Sequence, residues 1–172
     1  VAMGSNANAS GESSTAMGRG ATAAGNNAVA VGLLARTTVA NSVSMGRNTE
    51  ASAENAIAIG INSNANAQHA LAAGSSATAG GDSSTALGRN ANATVADAVA
   101  LGSRSTANRA ALASATVGAS PTASAAANQV YAPAGVSTTE ITGTVKGTLG
   151  AVSVGNATST RQITNVAAGS DN

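Results

Sequence analysis

Gly4, Gly18, Gly32, Gly46, Gly60, Gly74, Gly88 and Gly102 follow one another at intervals of 14 residues without a slip. A fixed period of this length marks a stacked-repeat architecture, in which each unit buries its faces against its neighbours. The residue two before each glycine is small: Ala2, Ala16, Ala30, Ser44, Ala58, Ala72, Ala86 and Ala100. The residues one and three before it are mostly larger, as in Met17 and Thr15, Val31 and Val29, Met45 and Val43, or Ile59 and Ile57. Large and small therefore alternate with a period of two, as in a short strand whose faces have different surroundings. More small residues lie three and five after the glycine, for example Ala7 and Ala9, Ala21 and Ala23, Ala77 and Ala79, and Ala91 and Ala93. Each unit reads strand, turn, strand, turn, and the glycine supplies the first turn, where positive φ or a tight corner meets no Cβ penalty. Helix is disfavoured, since nothing recurs at 3.6 and a glycine interrupts every unit. Rungs of this kind stack at about 4.8 Å, so eight would make a rod of roughly 40 Å. The alternation leaves open which parity faces the interior.

Hydrophobic residues make up 43% of the chain, much of it alanine, and Tyr131 is the single aromatic. That composition fits either a low-complexity coil or a fold whose core is built from small side chains. A lone protomer would bury little apolar area per ordered residue, so association is expected to supply the deficit. A net charge of +1 and the lack of stacking aromatics argue against a nucleic-acid partner. No apolar run approaches the roughly 20 residues that cross a bilayer, so no membrane contact is expected of this segment. The absence of cysteine excludes disulfides and thiolate metal sites. The chain opens mid-pattern at Val1-Ala2-Met3-Gly4 with no signal peptide, and is expected to be a piece of something longer.

After Gly102 the beat stops, with Thr116 where a glycine would fall. The segment 110–150 is rich in Ala, Ser and Thr and holds Pro121, Pro133, Tyr131 and a β-prone stretch from Thr138 to Val145. It reads as an insert between two rungs, a hairpin or an extended excursion against a neighbour. The pattern resumes once, as Ala151-Val152-Ser153-Val154-Gly155-Asn156, so Gly155 joins the eight repeat glycines as a structural residue. Arg161, Gln162, Ile163, Thr164, Asn165 and Val166 then depart from the pattern and must cap or leave the rod. The expected division is 1–109 for the repeats, 110–150 for the insert and 151–172 for the final rung and the exit from the rod.

The units Asn27-Ala-Val-Ala-Val-Gly32, Asn41-Ser-Val-Ser-Met-Gly46 and Asn55-Ala-Ile-Ala-Ile-Gly60 resemble the NSVAIG-type repeat of YadA-like heads in trimeric autotransporter adhesins. Residues 153–169, with Arg161 to Val166 inside them, resemble the neck that joins such a head to its stalk, and the 110–150 segment resembles the head insert. The resemblance implies an all-β, left-handed parallel β-roll, a solenoid of 14-residue rungs, three copies of which associate as a homotrimer. It also implies a neck leading to a coiled-coil stalk, and a bacterial cell-surface location anchored in the outer membrane through a C-terminal region absent from this segment. The implied function is attachment to host extracellular matrix or cell-surface molecules, with collagen-like ligands attributed to some relatives. Asn at the first motif position is replaced here by Ser13, His69, Ser83 and Asp97.

The residues offer little for catalysis. His69 is the only histidine and shares the register of those asparagines, so an exposed position at a strand start is expected rather than a metal ligand. Glu12, Glu54 and Asp82 share one register and Arg19, Arg47 and Arg89 another, half a period apart, which places them on opposite turns of a rung. Such edges keep a rod soluble and discourage lateral pairing; alternatively the basic register of one protomer faces the acidic register of the next. No phosphate-binding glycine loop is present, and the sole lysine, Lys146, lies in the insert. No catalytic residue, cofactor or metal is therefore expected, and no enzyme. The function read from the sequence is an adhesin head binding through a repetitive surface; the alternative is a structural spacer or fibre segment without a ligand of its own.

Overall fold

The computed structural model describes residues 1–110, 116–118, 129–131 and 149–164. The chain winds into a parallel β-solenoid with two strand layers. Three-residue strands such as Thr15–Met17, Val29–Val31, Val43–Met45 and Ile57–Ile59 stack into a nine-stranded sheet. Two-residue strands such as Thr22–Ala23, Arg36–Thr37, Glu50–Ala51 and Asn64–Ala65 stack into an eight-stranded sheet. Within both sheets equivalent residues of successive rungs pair in parallel, as Ala16 does with Ala30 and Thr22 with Arg36. Among the described residues there is no helix.

Small side chains face inward. Ala16, Ala30, Ser44, Ala58, Ala72, Ala86 and Ala100 are fully buried, and across from them lie Ala21, Ala23, Ala77, Ala79, Ala91 and Ala93. The largest fully buried side chains are Thr37 and Thr49. Strands this short bring the two layers close together, and anything longer than threonine on the inward parity would force them apart. The buried hydroxyls find partners: Ser42 Oγ donates to Val39 O at 2.6 Å, Ser63 Oγ to Gly60 O at 3.0 Å and Ser105 Oγ to Leu101 O at 2.6 Å.

The rung is itself made of two like halves. From Asn6 to Arg104, every seventh residue has a left-handed backbone, with φ between 55° and 60° in the non-glycine residues and 67° at Gly20. The same bond closes both turns of a rung: Ala7 N–H donates to Gly4 O at 3.1 Å and Ser14 N–H to Gly11 O at 3.2 Å. The asparagine register, which the sequence places at a strand start, is therefore a turn position, and Asn is favoured there because it tolerates the left-handed region. His69, with φ 56°, occupies the same position.

The repeat glycines open the first turn. From Gly4 to Gly102 their φ lies between 100° and 139°, where a side chain is strained. Space is as strict as torsion: a Cβ on Gly32 would stand 2.2 Å from the carbonyl oxygen of Gly46 in the next rung. Gly155 differs, having no positive φ; a Cβ there would meet the carbonyl oxygen of Ser159 at 2.5 Å.

After Ala107 the stack is continued by a distant segment. Val152 pairs with Val99 and Ser153 with Ala100, so the ninth strand of the first sheet lies directly on the eighth. Of the intervening chain, Thr116–Gly118 pairs with Gln129–Tyr131 in parallel, which is not the antiparallel arrangement of a hairpin. The rest of 111–148 lies outside the described residues.

Candidate functional site

The solenoid presents two faces, two edges and an end, and each carries different chemistry. Outward parity on the nine-stranded sheet belongs to the large residues. Met17, Met45, Ile59, Leu87 and Leu101 form one column, with Met45 44%, Ile59 42% and Leu87 45% exposed. Val29, Val43, Ile57, Leu71 and Val99 form the other, each partly or fully open to solvent. The side chains that would fill the core of an ordinary domain thus stand on its surface, because only alanine and its like fit inside. A continuous apolar face of this kind marks an interaction surface.

The eight-stranded sheet shows the opposite character. Its outward residues run Asn8, Thr22, Arg36, Glu50, Asn64, Thr78, Asn92 and Thr106 up the rod. Arg36 Nη1 and Glu50 Oε1, on successive rungs, form an ion pair at 3.0 Å. The Oδ1 atoms of Asn64 and Asn92 are buried and accept no hydrogen bond among the described residues. Side-chain ladders link the turns as well: Asn27 Nδ2 donates to Asn41 Oδ1 at 3.2 Å and Asn48 Nδ2 to Asn62 Oδ1 at 3.1 Å.

The edges are the turns. Arg19, Arg47, Arg89 and Arg104 lie on the turns that follow the nine-stranded sheet, and Glu12, Glu54, Asp82 and Asp97 on those that follow the eight-stranded sheet. All eight are exposed. His69 is exposed on the acidic edge, and among the described residues no group of three or more His, Cys, Asp or Glu is placed to hold a metal.

At the lower end, Arg161 folds back beneath the last complete rung. Its guanidinium donates to Ser103 O, to Val154 O and, at 3.1 Å, to Ser105 Oγ. It also stands where a further rung's glycine carbonyl would otherwise lie, since a Cβ on Gly102 would meet Arg161 Cζ at 3.1 Å. Asn156 assists by donating from Nδ2 to Arg104 O at 2.8 Å. A groove of about 760 Å³ opens beside this cap, lined among others by Thr106, Asn108, Val152, Asn156 and Arg161. Gln162, Ile163 and Thr164 are exposed and lie outside any strand; Asn165 and Val166 are outside the described residues. The capping role of Arg161 has little local signature, because two of its three partners, Ser105 and Ser103, lie 56 and 58 residues earlier in the chain.

A family model, the YadA head domain repeat (2 copies), matches residues 1–21, 9–35, 40–63, 51–77, 65–91 and 79–105. No curated protein matches the chain.

Proposed function

We propose that this chain, which belongs to the YadA head domain family, serves as the rod-shaped head segment of a trimeric adhesin. The observation that carries the trimer is the apolar face of the nine-stranded sheet. Its columns of Val, Ile, Leu and Met, interrupted by Thr15, Ala73 and Thr85, run up the rod, and among the described residues nothing covers them. Three parallel rods turning these faces to a common axis would share one core, and each would gain the large-side-chain burial that its alanine interior lacks. The polar eight-stranded sheet would then face outward, available to host extracellular matrix or cell-surface molecules, collagen-like ligands among them.

Adhesion through such a surface needs no catalytic group. A flat, periodic face offers many weak contacts, and threefold valency multiplies them. The family and the solenoid support a structural and adhesive role rather than an enzymatic one. In this reading the segment is displayed at a bacterial surface, with residues 161–166 starting the passage to a stalk and the outer-membrane anchor lying elsewhere in the protein. In the same reading, the segment 110–150 is an insert between two rungs.

Surface plasmon resonance of the assembled segment over immobilised collagens, fibronectin and laminin tests the proposal. Saturable binding to at least one is expected, reduced when Asn64, Thr78 and Asn92 are replaced together by lysine. A properly assembled trimer that binds none of them, nor host cells, would be a spacer.

A further inference from the structure

We propose that the two edges of the rod mate, the basic edge of one copy against the acidic edge of the next, and that this pairing makes the copies assemble in parallel. The inference rests on the trimer proposed for the apolar face and adds the device that sets its polarity. Between residues 2 and 107 the charged side chains apart from the Arg36–Glu50 pair all lie at turns and are sorted by sign; the exposed Arg109, just past Thr106–Ala107 at the end of the stack, is the exception among the residues that follow the eight-stranded sheet. Each basic residue has an acidic one half a rung away on the opposite edge: Arg19 with Glu12, Arg47 with Glu54, Arg89 with Asp82 and Arg104 with Asp97. The two members of each couple are separated by the width of the rod, and among the described residues the only ion pair is Arg36–Glu50. A second copy is therefore the partner that these edges fit.

Symmetry supplies the geometry. In a closed ring of parallel rods every contact is head-to-tail, so one edge of each copy meets the other edge of its neighbour. Half a rung is about 2.4 Å of rise, well within the reach of an arginine side chain. Inverting one rod while keeping its apolar face inward exchanges its edges and sets like charges together at both of its contacts. Packing two apolar faces antiparallel likewise brings Arg against Arg and Glu against Glu. The apolar face cannot make this distinction, since its columns of Val, Ile, Leu and Met look alike from either end.

The test compares three forms of the whole chain by sedimentation across concentration at low and high salt. Replacing Arg19, Arg47, Arg89 and Arg104 by glutamate gives two acidic edges. The concentration at half-assembly should rise at least about tenfold at low ionic strength, and this rise should shrink in ~1 M salt as the repulsion is screened. Adding Glu12→Arg, Glu54→Arg, Asp82→Arg and Asp97→Arg exchanges the edges and should restore assembly, which a mere folding defect would not allow. The double variant Arg47→Glu/Arg89→Glu gives a milder version if the full set folds poorly. A spin label at Ser5 of the wild-type chain should report neighbouring labels at one level of the rod. Assembly of the reversed variant at the wild-type concentration and salt dependence, or labels separated along the rod by about 35 Å, would overturn edge pairing and leave the trimer standing. A wild-type chain that stays monomeric would remove the trimer reading beneath it.

Discussion

The hydroxyl of Ser44 lies 2.9 Å from that of Thr49, across the interior from one strand layer to the other. Two of the shortest polar side chains thus span the entire core. Thr49 Oγ1 also reaches Gly46 O at 3.1 Å, so the pair is satisfied without water. Alanine takes the place of Ser44 in later rungs, at Ala58, Ala72 and Ala86, and the ladder from rung to rung continues through them.

Ala58→Leu should therefore destabilise the fold by about 1–3 kcal/mol through overpacking, read from urea denaturation followed by circular dichroism. Ala58→Ser should cost less, because Ser63 stands across from it as Thr49 stands across from Ser44. Equal tolerance of serine and leucine would contradict a core this thin.

Gly32 and Asn27 separate two kinds of positive φ. Gly32→Ala should cost about 1–3 kcal/mol, because φ of 133° and a carbonyl 2.2 Å from the new Cβ both oppose it. Asn27→Gly should lie within about 0.5 kcal/mol of wild type, since φ of 56° suits either residue. Thermal melts of the two variants check this directly.

The beat of glycines and the small residues around it are enough to infer stacked parallel rungs, and the alternation at Val29, Ala30 and Val31 already implies two unlike faces. The half-rung stays hidden. Val39, Ala53, Ala67 and Val95 stand at the second turn where Gly11, Gly25 and Gly81 would have exposed a period of seven. The sorted edges are only partly legible for a related reason: Asp97 and Arg104 sit one residue further into their turns than Asp82 and Arg89 do. Which parity is buried follows from the separation of two layers, a tertiary quantity that no local pattern encodes. The cap made by Arg161 joins residues 58 apart in the chain and leaves no spacing to detect.

Asn64 carries a buried Oδ1 with no partner among the described residues, whereas Thr22, Thr78 and Thr106 share its column. Asn64→Thr should stabilise the rod by about 0.5–1 kcal/mol, since threonine suits a strand and removes the unpaired atom. A denaturation midpoint unchanged or lowered by the substitution would count against this.

Arg161→Ala should loosen the lower end by about 1 kcal/mol or more, the scale of hydrogen bonds from a charged donor. Hydrogen exchange should quicken at Gly102, Arg104 and Thr106, while rungs near Val43 and Ile57 keep their protection. Uniform loss along the rod would mean that Arg161 does not act as an end cap.

Sedimentation equilibrium of the 172-residue chain bears most directly on the central claim, that protomers share the apolar columns their own interiors are too thin to house. The expected result is one species at three times the protomer mass of 16.1 kDa, broken down when Ile57 and Ile59 are both replaced by lysine. A folded 16.1 kDa monomer persisting at tens of micromolar, with its β-sheet signal intact, would contradict it.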